Sequence, residues 1–228
     1  MRLLVSPSSI EEARSALAAD IIDVKKPSEG SLGANFPWVI RAIKELAGKP
    51  VSAAIGDFDY KPGGAALAAY GAACSGADYI KVGLMFDGKE KAFELSQAVV
   101  KAVKDEFPEK IVVIAAYSDY ERLGTISPFE AAEAAAEAGA DVAMIDTGMK
   151  DGKSTFSFMD TEMLAAYTAE NRRRGLDTAL AGSLTFEDLN ALRSIDPEII
   201  GVRGMVCGGD RSCTIRPELV EKAMAMIR

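Results

Sequence analysis

The sequence predicts an α/β protein, a single-domain (β/α)8 TIM barrel spanning residues 1–228. Three observations predict it. Eight short, apolar, β-branched runs alternate with longer segments of helical period. A pattern recurs at every second run: Asp20-Ile-Ile-Asp-Val-Lys25, Asp78-Tyr-Ile-Lys-Val-Gly83 and Asp141-Val-Ala-Met-Ile-Asp146. Its leading aspartates are 58 and 63 residues apart, about two strand–helix units each. Finally, 228 residues is close to the minimum for such a barrel and enough for one well-buried domain. An open doubly wound sheet explains the alternation but not the count of eight.

The elements follow in order. A first strand, Leu3–Val5, leads to a helix over Ser9–Ala19, where Ser9 and Glu12 form a capping box. The second strand, Ile21–Val24, is followed by a long glycine-containing loop, Lys26–Asn35, read either as a lid over the mouth or as an ordinary solvent loop. A helix over Phe36–Ala47 ends at Gly48, and the third strand is Val51–Ile55. The helix Gly64–Ser75 ends at Gly76 before the fourth strand, Tyr79–Val82. Helix Lys89–Phe107 and strand Ile111–Ala116 come next. Ser127 caps, and Pro128 opens, the helix Pro128–Ala138, which Gly139 closes. Strand Val142–Ile145, helix Thr161–Arg174, strand Thr178–Ala181, helix Phe186–Ile195 and strand Ile199–Val202 complete the alternation, with a last helix after Pro217.

Strand alternation assigns faces. Ile22, Val24, Ile80, Val82, Ala143 and Ile145 should face the helices. The opposite set should face the axis, with Asp23, Lys81 and Met144 in one layer and Lys25, Gly83 and Asp146 one layer nearer the catalytic face. Gly83 is expected to leave room there.

Composition excludes several functions. Formal net charge is −8, against a general nucleic-acid or anionic-membrane surface. No apolar run approaches a membrane span, and the N-terminal run is too soon broken for a signal peptide. Three cysteines, odd in number, suit a reduced, cytoplasmic compartment. Cys207 and Cys213 lack the further ligands zinc requires, so no metal and no cofactor are expected. Alanine-rich faces such as 131–136 permit close helix packing within or between subunits, and a homo-oligomer is expected.

There is no histidine, the usual acid/base near neutral pH. Proton transfer or covalent catalysis must fall to Lys, Asp, Glu, Tyr or Cys. Two lysines and two aspartates facing a barrel mouth suit imine chemistry on a carbonyl compound. A neutral amine is required, and at lysine's ordinary pKa of about 10.4 only roughly one side chain in 2,500 is neutral at pH 7. Burial and a second ammonium lower that pKa, while Asp23 and Asp146 oppose them. Parity alone does not say which lysine is the nucleophile. The loops after strands 7 and 8, where such barrels bind phosphate, contain Gly182, Ser183, Arg203 and Gly204, with Arg211 nearby. Asp57, Asp59, Tyr60, Lys61, Tyr117, Asp119, Tyr120, Lys150 and Lys153 follow other strands without a unique assignment. Another lysine aldolase, a phosphosugar isomerase or a non-catalytic phosphate-ligand-binding barrel would share these features.

Nearly the whole chain resembles the (5-formylfuran-3-yl)methyl phosphate synthase, or 4-(hydroxymethyl)-2-furancarboxaldehyde-phosphate synthase, family. The resemblance rests on Leu3-Leu-Val-Ser-Pro7, Asp20–Lys25, the specific run Glu29-Gly-Ser-Leu-Gly-Ala-Asn-Phe-Pro-Trp-Val-Ile40, Tyr60–Gly63 and Ser75–Leu84. It continues through Gly139–Met144, Lys150–Lys153, Ala179–Ser183 and Gly201–Gly204. It implies a metal-independent lyase of methanofuran biosynthesis that condenses two molecules of glyceraldehyde 3-phosphate, a triose phosphate, with release of phosphate and water. By the same resemblance Lys25 is the Schiff-base lysine and Lys81 the proton acceptor. Asp23, Asp146 and Lys150 match further active-site positions, and Ser31 in the long loop is a further expected substrate contact. Lys26 stands where the family pattern has asparagine, and 205–214 departs from archaeal relatives, which bears on the phosphate contacts.

Overall fold

The computed structural model describes residues 1–228. Eight parallel strands close into a barrel in chain order, with β8 paired to β1. They are β1 (Arg2–Val5), β2 (Ile21–Val24), β3 (Val51–Phe58), β4 (Tyr79–Leu84), β5 (Ile111–Tyr117), β6 (Val142–Asp146), β7 (Asp177–Leu180) and β8 (Ile199–Val202). The helices are α1 (Ile10–Ser15), α2 (Pro37–Ala47), α3 (Pro62–Cys74), α4 (Lys89–Lys104), α5 (Tyr120–Leu123), α6 (Pro128–Glu137), α7 (Thr161–Arg173), α8 (Leu189–Ile195) and α9 (Pro217–Ile227).

The face assignment from alternation matches the packing. Ile22, Val24, Ile80, Val82, Ala143 and Ile145 lie in the 53-residue core between sheet and helices. Ile21, Tyr79, Val142 and Met144 belong to a separate cluster of 12 inside the barrel. Most apolar burial, and with it most of the hydrophobic stabilisation, therefore lies outside the strands. The interior can give its upper layers to polar groups.

The sequence repeat has a structural cause at the opposite, N-terminal end. Asp20, just before β2, accepts the backbone N–H of Leu3 at 2.8 Å. Asp78, before β4, accepts that of Val51 at 2.7 Å, and Asp141, before β6, that of Val112 at 2.7 Å. Glu198, before β8, accepts the N–H of Thr178 at 2.8 Å, a fourth member hidden by the change from Asp to Glu. Each carboxylate satisfies a donor near the start of the preceding strand. The four pins tie the strands in pairs.

Helix ends follow local chemistry, with departures. Ser9 Oγ accepts the Glu12 N–H at 3.1 Å, but the Glu12 carboxylate turns to Ser8 N at 2.6 Å instead of completing the box. Successive Ala16→Ala13 and Ala19→Ala16 bonds tighten the chain after Ser15 into turns, so α1 is shorter than its periodicity suggested. α8 begins at Leu189 because Asp188 accepts both the N–H and the O–H of Thr185, at 2.7 and 3.0 Å. That bonding holds 185–188 as a turn. α5 is a single turn, too short to show a period.

Two features shape the mouth. The β3–β4 register slips between Ala54 and Gly56, where Gly56 has φ +135°. Such a bulge re-aims the residues beyond it. Ser52 and Ala54 are in register with Tyr79 and Lys81, whereas past the slip Asp57 aligns with Gly83. Asp57 thereby bonds to the Tyr117 hydroxyl and accepts the Leu32 N–H at 3.1–3.2 Å. A Cβ on Gly83 would stand 2.1 Å from Tyr117 Oη and 2.9 Å from Asp57 Oδ1. The room expected above Gly83 is thus filled by the protein's own tyrosine. The 26–35 loop takes part in this plug. Leu32 is fully buried in the interior cluster, Lys26 N bonds Gly33 O at 2.9 Å, and Ser31 Oγ bonds Thr147 O at 2.8 Å. The segment packs its Ser31–Gly33 part over the β3–β5 side while Ser28 and Glu29 stay exposed.

Candidate active site

With that side closed, the mouth opens over the other strands. A cavity of about 720 Å³ lies at the C-terminal ends of β1, β2, β6, β7 and β8, the face where barrel enzymes place their chemistry. Asp23, Lys25, Met144, Asp146, Lys150, Gly182, Ser183, Arg203 and Gly204 all line it. Lys81 and Ser31 do not.

Lys25 follows β2 directly and is buried, with only 7% of its surface exposed. Its side-chain amine makes no hydrogen bond or ion pair in the protein; the sole side-chain contact at this residue is Asn35 Nδ2 with its backbone carbonyl, at 3.5 Å. Burial, the largest influence, lowers the amine's pKa to about 8. Asp146 and Asp23 oppose that fall, and the Lys81 and Lys150 ammoniums reinforce it.

Beneath it Lys81 Nζ stands 2.8 Å from Asp23 Oδ1, with side chains 1% and 0% exposed. The two therefore share a layer, as parity required. Asp23 Oδ2 accepts the Ser6 hydroxyl at 2.8 Å. Burial alone would raise the Asp23 carboxyl, but the Lys81 and Lys25 charges outweigh it and hold the group below the usual carboxylate range. Lys81 thus meets the cavity only through Asp23.

On the far wall Asp146 Oδ1 accepts Lys150 Nζ at 2.6 Å and the Thr147 N–H at 2.7 Å. Burial again works against ionisation, yet Lys150 and then Lys25 bring the Asp146 pKa down to about 2. Lys150 also donates to Thr147 Oγ1 at 3.0 Å. Its loop is anchored by Asp119, which accepts Gly148 N at 2.7 Å and Met149 N at 2.9 Å.

The N–H groups of Gly182, Ser183 and Leu184 find no acceptor in the protein, and all three residues line the cavity. Gly182 has φ +96°, and a Cβ there would lie 2.3 Å from Thr155 Oγ1, so only glycine fits. The first N–H groups of the 3₁₀ turn Gly204–Cys207 lack partners within that turn. Free amides from two loops can cradle an oxyanion.

The cation beside them differs from expectation. Arg203 is committed to the protein: Nη1 donates to Glu12 Oε2 at 2.9 Å and Ser6 O at 2.8 Å, and Nε to Arg211 O at 2.8 Å. Nη2 donates to Glu12 Oε1 at 3.1 Å and Cys213 O at 3.4 Å. All five donors are used and the charge is matched by Glu12, so Arg203 is a clamp with nothing left for a phosphate. Arg211, whose backbone that clamp holds, has a guanidinium with no hydrogen bond or ion pair; burial, the largest influence, lowers its pKa, Asp146 opposes that fall, and the Arg203 charge adds to it. Ser31 has likewise spent its hydroxyl proton on Thr147 O. Sequence reasoning missed Ser6, although Leu4–Ser6 parity on β1 points it inward. It also missed the Asp57–Tyr117 plug, which depends on a bulge.

Comparison with known proteins bears on the family and the fold. The family model described as 4-HFC-P synthase matches residues 3–224. A protein of Methanosarcina mazei named (5-formylfuran-3-yl)methyl phosphate synthase is 59% identical over 230 residues, covering 99% of this chain and 98% of its own. Its namesake in Archaeoglobus fulgidus is 52% identical, covering 100% and 99%. Among solved structures, a 3-hexulose-6-phosphate synthase superposes with a TM-score of 0.70 at 21% identity over 100% of both chains. KGPDC from Streptococcus mutans gives 0.68 at 15% identity, over 99% of this chain and 96% of that one. Those two likenesses concern the fold alone. From the family match and the near-full-length identity, the chain belongs to the 4-HFC-P synthase family of enzymes.

Proposed function

We propose that this cavity condenses two molecules of glyceraldehyde 3-phosphate into (5-formylfuran-3-yl)methyl phosphate through an imine on Lys25. The observation that carries the reading is the Lys25 amine itself: buried, unpartnered, facing the cavity, and with a pKa of about 8. About one-tenth of such amines are neutral at pH 7, against roughly one in 2,500 for free lysine. The names of the relatives support the product, and the unpartnered amides at Gly182 and Ser183 support a phosphorylated substrate.

The Lys25 nitrogen attacks the aldehyde carbon, and loss of water gives an iminium. The iminium draws electrons from the neighbouring C–H, whose proton passes to Asp23. The Lys81 ammonium lies behind that carboxylate and holds it ionised between transfers, so in this reading the proton-acceptor part expected of Lys81 falls to its partner Asp23. The enamine expels phosphate from the third carbon. The former third carbon then adds to the second carbon of the other triose, whose carbonyl has moved there from the aldehyde, so that the CH2–phosphate group branches from the chain as the product requires. Asp146 and Lys150 exchange the proton on the new oxygen. Ring closure, dehydration and hydrolysis from Lys25 complete the sequence. By atom balance one phosphate and two waters leave, with no oxidant required.

Borohydride reduction in the presence of glyceraldehyde 3-phosphate should add mass to the Lys25 peptide. The trapping rate should rise with pH about a midpoint near 8, following the neutral amine. Lys25→Arg should abolish both the tag and the furan absorbance. Furan formed at full rate by Lys25→Arg would refute the imine. A Lys25 tag without furan would point to a different lysine aldolase.

A further inference from the structure

Beside the main cavity lies a second one of about 460 Å³, between the loops after β2, β6 and β8. Ser28, Ser31, Lys150, Arg211 and Ser212 line it, and no carboxylate does. This is unusual in a chain of net charge −8. Lys150 and Arg211 line both cavities, so the two spaces adjoin. The partly buried Arg211 guanidinium makes no hydrogen bond or ion pair, and the anion whose pull it feels, Asp146, is already bound to Lys150. An unpaired, partly buried cation is costly unless a ligand supplies the opposite charge. Its backbone is nonetheless fixed by Arg203 Nε at 2.8 Å, and Arg203 is fixed in turn by Glu12. The protein thus uses one arginine to hold another in place.

We propose that this annex is a second phosphoryl-binding subsite, with Arg211 as its main cation, adjoining the Gly182–Ser183–Gly204 amides. It would hold the second of the two phosphate groups that the reaction brings together, a role that rests on the function proposed above. The phosphate released from the first triose and the phosphoryl group of the second together carry up to about four negative charges. One amide cradle cannot neutralise both groups, whereas a guanidinium with a free face binds a phosphoryl group bidentately. Lys150 stands between the subsites with its ammonium on Asp146 and Thr147, shielding one anion from the other.

The test is a count of bound anions on the intact protein by calorimetry, using inorganic phosphate and, separately, glycerol 3-phosphate, which has no carbonyl to react. Two equivalents of either are expected. Two of phosphate with one of glycerol 3-phosphate would assign the annex to the released ion; two of both would assign it to the ester. Arg211→Gln should weaken the second site by about 10- to 100-fold, the ordinary worth of a hydrogen bond to a charged group. Ser28→Glu, on an exposed residue, should do the same by repulsion without touching the amide cradle. One equivalent of both probes in the unaltered protein, or two equivalents undiminished in both variants, would overturn the subsite. Loss of the second equivalent leaves the furan reaction to be judged by its own product. Furan formation with a single anion site would sink this inference alone, and two sites without furan would sink only the reaction.

Discussion

Replacing Lys81 with methionine keeps the apolar stem and deletes the charge. In the structure that charge sits 2.8 Å from Asp23, with neither side chain appreciably exposed, so water cannot screen what is lost. Asp23 keeps the Ser6 hydroxyl but loses its principal counter-ion. Breaking a buried pair from one side costs about 3–5 kcal/mol. Asp23→Asn strands the ammonium instead and should cost a similar amount. The double variant strands neither charge. It should lose less stability than the two single changes together by about 3 kcal/mol or more. Urea titration of the four proteins by circular dichroism, compared at matched slopes, measures this coupling. Lys81→Met also removes an ammonium that depresses Lys25, so the pH midpoint of reductive trapping should move up from about 8. A loss below about 1 kcal/mol for Lys81→Met, or additivity within about 0.5 kcal/mol, would refute the assignment of this pair as a buried, mutually dependent charge system.

Two further outcomes follow from the same geometry. Asp146 has a folded pKa of about 2, below its unfolded value, so its contribution is present above roughly pH 4 and is lost as pH falls towards 2. That contribution is roughly 2–3 kcal/mol, and Asp146→Asn should flatten this part of the stability–pH curve, an unchanged slope counting against it. Gly83→Ala should cost about 1–3 kcal/mol because its Cβ meets the Tyr117 hydroxyl at 2.1 Å, and Tyr117→Phe should relieve much of that loss. Equal thermal destabilisation in both backgrounds would show that the hydroxyl is not the obstacle.

Alternation of apolar and polar residues determined the barrel, the faces of its even strands and the inward aim of Asp23, Lys25, Lys81 and Asp146. These are one-dimensional properties, because a strand's side chains alternate whatever lies beside it. The aspartate repeat was equally visible, though its role in pinning the preceding strand was not, since each bond joins residues at least 17 apart. What only the tertiary structure decided is how donors and space are shared. Arg203 and Arg211 read alike in the chain, yet Glu12 sits where it claims the first and leaves the second free. Gly83 read as open room until a bulge at Gly56 turned Asp57 inward to meet Tyr117. Lys81 pointed inward as expected, but it stands behind Asp23 in the same layer, off the cavity wall. Hydrogen-bond partners and occupied volume depend on which distant segments converge, and local residue order does not record that convergence.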